Sequence, residues 1–195
     1  MKIFFIIILI LGGVMLLFSF LNGGNIYEPP YRLIAKSSGI EIREYDTLLV
    51  AMTKKTLPYK EATTSGFRTL ASYIFGNNKE NIQIPMTAPV LTSMPDTDSI
   101  EISFVMSKSY SIKNIPTPNS DDVIFKKVYL GKTAVIKFGM WANPEKIMRM
   151  KAKLDKYIAN KNLITDSDYL VAQYNSPWVP PPFRRNEIII SIKKD

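Results

Sequence analysis

The sequence predicts an α+β domain, one curved and largely antiparallel sheet or barrel with two helices packed against it. Three observations predict it. Segments with strand and helix periodicity run strands, helix, strands, and that order then comes round again. Both helical segments end alike, Leu70-x-x-Tyr73-Ile74 and Leu154-x-x-Tyr157-Ile158, so an internal two-fold repeat is expected. The chain has 195 residues. Setting aside an apolar stretch at the start leaves about 170, the size of one domain with its own core.

Each element has its own signal. Tyr31–Lys36 and Ile40–Tyr45 read as strands around the turn Ser37-Ser38-Gly39. The second alternates, with Ile40, Ile42 and Glu44 on one face and Glu41, Arg43 and Tyr45 on the other. Thr47–Thr56 is a third strand, rich in Val, Leu and Thr. Pro58 opens a helix to about Phe75, with Phe67, Leu70, Ala71 and Ile74 as its apolar stripe and Gly76 as its C-cap. Strands follow near Pro89–Met94 and Ile100–Met106, then a loop over 107–120 containing Pro116 and Pro118. Val123–Leu130 and Lys132–Phe138 are strands again. Asn143-Pro144 caps and starts a second helix, 144–161, with Ile147, Met150, Leu154 and Ile158 facing inward. Tyr169–Asn175 and Glu187–Lys193 are the last strands.

Composition excludes several chemistries. There is no Cys and no His, so disulfides, thiolate nucleophiles, Cys/His zinc sites and histidine general bases are all impossible. The net charge of +8 favours anionic partners. No basic-aromatic run or nucleic-acid motif is present, so nucleic acid is not an expected partner. No Gly-rich phosphate loop occurs. The acidic pairs Asp121-Asp122 and Asp166-Ser167-Asp168 fit turn caps better than catalysis. An enzyme is not expected, and no catalytic or metal-ligating set is assigned.

Residues 1–25 form a unit apart from 26–195. Ile3–Leu21 is uncharged and strongly apolar over nineteen residues, which as a helix reach about 28 Å and match a bilayer core. An N-terminal transmembrane helix is expected, with membrane lipid as its partner. A cleaved signal is the alternative, because Asn22-Gly23-Gly24 follows. Lys2 precedes the run, and no Lys or Arg occurs from Asn22 to Tyr31. That places the N-terminus in the cytoplasm and the domain on the outer, extracytoplasmic side.

Four stretches, in order, resemble the SOUL haem-binding family. They are Ile40–Tyr45; Phe67-x-x-Leu70-x-x-Tyr73-Ile74 with Gly76-Asn77; Ile84-Pro85-Met86-Thr87-Ala88-Pro89-Val90; and Ala172-x-Tyr174-Asn175-x-Pro177 with Phe183-Arg184-Arg185-Asn186-Glu187-Ile188. The resemblance spans about residues 31–193. It implies two βαββ-like halves forming a distorted antiparallel barrel flanked by two helices. It also implies non-covalent, non-catalytic binding of haem or another tetrapyrrole in a shallow apolar groove. In relatives that groove lies between the first helix and the loop before the last strand, here Lys60–Phe75 and Ser176–Arg185. A structural or protein-interaction module that keeps the fold without haem is the alternative.

The groove residues expected are Lys60, Thr64, Phe67, Arg68 and Ala71 on the helix, and Trp178, Phe183 and Arg184 on the loop. Pro177, Pro180, Pro181 and Pro182 stiffen that loop, so Trp178 and Phe183 are presented at low entropic cost. Flat rings suit a flat macrocycle. Arg184 and Arg185 can pair with propionates, or with Glu187, Glu41 and Glu44. Without histidine, an iron ligand would have to be Met86, a phenolate from Tyr59, Tyr73 or Tyr174, or a Lys amine. Lys146, Arg149, Lys153 and Lys156 form a basic stripe on the second helix, suited to solvent or to anionic lipid.

Overall fold

The computed structural model describes residues 26–193. The strands are β1 (Tyr31–Ser37), β2 (Ile40–Tyr45), β3 (Leu48–Lys55), β4 (Val90–Thr92), β5 (Ile100–Val105), β6 (Ile124–Val128), β7 (Gly131–Phe138), β8 (Leu170–Gln173) and β9 (Asn186–Ser191). The helices are α1 (Tyr59–Ile74) and α2 (Pro144–Asn160). All nine strands form one sheet in the order β1-β2-β7-β9-β8-β4-β5-β3-β6, and every pairing is antiparallel. The α+β class and the element order agree with the sequence reading.

The two-fold repeat is visible in the topology. One βαββ unit, β3-α1-β4-β5, lays its strands side by side as β4-β5-β3; the other, β7-α2-β8-β9, lays them as β8-β9-β7. The units meet at the central pair β4–β8. The strand before each unit pairs with the other unit, β2 with β7 and β6 with β3. This exchange ties the halves together along both flanks.

The connections force the sheet to curl. Tyr45 ends β2 and Leu48 begins β3, three Cα steps that reach at most about 11 Å. In the sheet β2 and β3 are six places apart, which would be about 29 Å if the sheet were flat. The helix-free face therefore closes round a second apolar cluster, including Tyr45, Val50, Leu91, Val105, Leu130, Val135 and Ile189. The larger core lies between the other face and the helices.

The expected barrel is corrected in one respect: the curled sheet does not close. β1 fills the free side of β2 and β6 that of β3, leaving these two as unpaired edges. Both are protected against pairing. β1 is exposed throughout and bulged between Leu33 and Ala35, and β6 carries Lys126 and Lys127.

The helices pack symmetrically, α1 on β3 and β5, α2 on β7 and β9. The side chain of Asn143 accepts a bond from the Lys146 amide at 2.9 Å, as its capping role requires. The expected face of α2 is the buried one: Ile147, Met150, Leu154 and Ile158. In α1 the buried stripe is rotated from the expected one. Tyr59, Ala62, Gly66, Leu70, Tyr73 and Ile74 face inward, while Phe67 and Ala71 are only half-buried. Gly66 is the cause. A Cβ there would stand 2.5 Å from Ile102 Cδ1 and 2.8 Å from its Cγ1, so the missing side chain lets α1 settle onto β5. Phe75 closes the helix and Gly76 follows with φ +109°.

The apolar run Ile3–Leu21 lies outside the described residues. Among the described residues no helix is long and apolar enough to cross a membrane.

Candidate functional site

Two of the four sequence blocks converge on a buried arginine. Arg43 of β2 is fully enclosed. Its guanidinium holds Glu187 of β9 through two bonds, 2.8 and 2.9 Å. It also donates to Glu41 at 2.9 Å and to the Tyr45 hydroxyl at 2.6 Å. Glu187 accepts a further bond from Tyr174, at 2.8 Å. Burial works against the charge on Arg43, but Glu187 holds the proton firmly and raises its pKa. Arg185, expected near Glu187 or Glu41, instead pairs with Glu28 and stacks 3.6 Å from the Tyr174 ring centre. With every charge matched, the cluster is a lock between β2 and β9, on strands joined through β7.

Glu41 makes the lock sensitive to acid. Burial alone would raise its pKa, but bonds from Arg43 and Lys137 overcome that and hold it at about 2. Its charged form stabilises the fold above the ordinary carboxylate pKa, and that contribution is lost as pH falls from about 4.5 to about 2. The thermal midpoint is expected to drop between about pH 6 and about pH 3, and to drop less in Glu41→Gln. Equal drops in the two proteins would contradict this role.

The block Met86–Val90 is architectural. The Thr87 hydroxyl donates to the Val105 carbonyl, and the Ala88 amide donates to the Tyr27 carbonyl at 2.9 Å. Met86 is half-buried against the main core.

The loop between β8 and β9 is built to display rings. Pro181–Phe183 form a short 3-10 turn. Arg184 is buried, and it donates to the carbonyls of Pro177 at 2.6 Å and Ser176 at 3.3 Å. Its guanidinium stacks 3.7 Å from the ring centre of Trp141. Arg184 thus clasps the loop to the β7–α2 connection, a different task from the propionate contact expected of it. Outside the clasp, Trp178 is 88% exposed and Phe183 73%.

The α1 candidates share one flank. Lys60, Thr64, Phe67 and Ala71 fall on successive turns with Arg68 beside them. Tyr59 meets Thr92 of β4, and the Tyr73 ring meets Phe125 of β6. This orientation turns the Phe67 flank towards β4. Lys60, Thr64 and Arg68 are exposed, and the Thr64 hydroxyl bonds back to the Lys60 carbonyl at 2.8 Å. Phe67 packs edge-on against Phe104 at 5.2 Å.

The central pair β4–β8 lies between the strands that carry α1 and those that carry α2. Tyr59 of α1 reaches Thr92 of β4, while Val90 and Gln173 on this pair stay half-exposed. Phe104, Val90, Gln173 and Asn186 are successive partners across the sheet. Phe67 therefore stands at one side of this row and the base of the loop at the other. Phe104 and Gln173 are two strand spacings apart, about 10 Å. Sequence reasoning missed Trp141 and Val90; Arg184 holds the first beside the loop, and strand register sets the second opposite Gln173.

The tyrosines named as iron ligands are committed elsewhere. Tyr59 is bonded to Thr92 and pushed by burial to about 12. Tyr73 donates to the Pro116 carbonyl and Tyr174 to Glu187; burial raises both. Among the described residues no cluster of three acidic side chains could hold a metal ion. The exposed rings and basic side chains fit the faces and carboxylates of a tetrapyrrole, and the hydroxyls of these three tyrosines are already engaged within the fold.

A concavity opens on the opposite face of the sheet, with Lys151 of α2 at its rim. Its volume is about 670 Å³, and Leu91, Leu130 and Leu170 line it together with Ser103, Glu101 and Lys126.

Residues 26–191 match the family model described as SOUL heme-binding protein. No curated protein matches the chain. Among solved structures, a hydrolase from Listeria innocua is similar with a TM-score of 0.56 at 9% identity, covering 82% of this chain and 94% of that one. The EcmrR C-terminal domain is similar with a TM-score of 0.59 at 10% identity, covering 85% and 99%. At such identities the likeness is one of fold.

Proposed function

This chain belongs to the SOUL heme-binding protein family, and from that membership we propose that it binds a tetrapyrrole, haem included, non-covalently and without a histidine ligand. The observation that carries the reading is the display of Trp178 and Phe183 on a clasped, proline-stiffened loop; the proposed groove is a trough over the half-exposed β4–β8 pair beside it. The macrocycle lies over Val90 and Gln173, with Phe67 and Ala71 on one side and Trp178 and Phe183 on the other. Lys60, Arg68 and the Thr64 edge of α1 meet its carboxylates. Arg184 holds the loop in place. The protein is a binding protein and not an enzyme in this reading. Residues 3–21 anchor it in a membrane, with the N-terminus cytoplasmic and the domain on the outer side; the length of the run and the position of Lys2 support this.

The test is an absorbance titration of the full chain with hemin and, in parallel, with metal-free protoporphyrin. Both are expected to saturate at one equivalent with similar affinity, because recognition is of the ring and its carboxylates. Saturation by hemin alone would show that iron ligation dominates and overturn the ligand-free account. Saturation by neither would overturn tetrapyrrole binding and leave the interaction-module reading.

A further inference from the structure

Four exposed large apolar side chains gather at one place, where the β8–β9 loop meets the β7–α2 connection. Trp178 is 88% exposed, Phe183 73%, Trp141 52% and Met140 48%. They are held as a unit. The Met140 amide donates to the Pro181 carbonyl at 3.1 Å, Asn186 donates to the Met140 carbonyl at 2.9 Å, and Arg184 bridges Trp141 to the Pro177 carbonyl. Such a display of large apolar side chains needs a partner.

Two features say which partner. The first is the leash. Glu28 is paired with Arg185 at the base of the loop, and only six residues separate Glu28 from Leu21, the end of the apolar run. The seven Cα steps span at most about 25 Å, so a bilayer that holds the run lies within that reach of Glu28 and of the loop base it is paired to. The second is charge. α2 begins at Pro144, directly after the patch, and carries Lys146, Arg149 and Lys153 on its outer side. Tryptophan with basic neighbours is the composition of a lipid interface.

We propose that Met140, Trp141, Trp178 and Phe183 dock into the surface of an anionic phospholipid bilayer, with Lys146, Arg149 and Lys153 on its headgroups. The proposal rests on the reading of residues 3–21 as an anchor. Because the same loop borders the trough, the tetrapyrrole meets the protein at the lipid surface.

The chain has two tryptophans, and both lie in the patch, so intrinsic fluorescence reports on it directly. The full chain is reconstituted into phosphatidylcholine vesicles with about one-third phosphatidylserine, with plain or brominated acyl chains, and recovered by flotation. Docking predicts about a twofold loss of tryptophan emission in the brominated vesicles. Replacing Lys146, Arg149 and Lys153 together by Glu should relieve the quenching while flotation persists. Floated protein with unquenched tryptophans overturns docking and leaves the anchor standing. Unchanged quenching in the triple variant overturns the anionic-lipid contact. Protein that does not float overturns anchor and docking together.

Discussion

Arg43→Ala is expected to destabilise the fold by about 3–5 kcal/mol, read as the loss of unfolding free energy in urea. The size follows from what is left behind. Glu187 and Glu41 are 2% and 4% exposed, and without the guanidinium two carboxylates stay buried, Glu187 with only the Tyr174 hydroxyl. A kilocalorie shifts the midpoint of a domain this size by roughly 2–4 °C, so a fall of about 10 °C is expected. Arg43→Lys should recover only part, since a single ammonium cannot reproduce the fork that grips both oxygens of Glu187. Tyr45→Phe removes one bond from the cluster and should cost about 1 kcal/mol, which keeps the test readable if Arg43→Ala does not fold. Losses below about 1 kcal/mol in Arg43→Ala would show that the cluster does not tie β2 to β9.

Trp178→Ala combined with Phe183→Ala is expected to weaken protoporphyrin binding at least about tenfold, since each buried ring face contributes about 1 kcal/mol beyond its area. Stability should hardly move, because both rings face outward and surface substitutions usually stay within about 0.5 kcal/mol. Arg184 keeps its bonds to the loop carbonyls in this variant, so the backbone is held as before. The two substitutions therefore remove contact area without removing the scaffold. Unchanged affinity would take the ligand away from this loop.

The sequence was most informative where one element decides its own structure. The face of α2 followed from the spacing of Ile147, Met150, Leu154 and Ile158, and the cap from Asn143. On β2, alternation put Glu41, Arg43 and Tyr45 together. It was silent wherever the partner is distant. Arg43 and Glu187 are 144 residues apart, and β2 and β9 are brought near each other by β7, which the exchange of flanking strands inserts between them. The neighbouring Arg184 and Arg185 therefore looked like the natural partners of Glu187. The α1 stripe was misplaced for a related reason. Hydrophobic periodicity counts Phe67 and gives no weight to Gly66, whereas close packing on Ile102 makes the glycine the centre of the buried face. For the candidate site, the blocks named the loop and the helix. Their placement on either side of Val90 and Gln173 depends on β4–β8 pairing, which no local pattern encodes.

Amide hydrogen exchange of the full chain, with and without one equivalent of protoporphyrin, tests the central claim most directly. The account predicts slowed exchange along the β4-facing flank of α1 and through Ser176–Arg185, with the strands round Leu91, Ser103 and Leu170 unchanged. Protection at those strands instead would place the ligand in the cleft on the opposite face of the sheet and contradict the account.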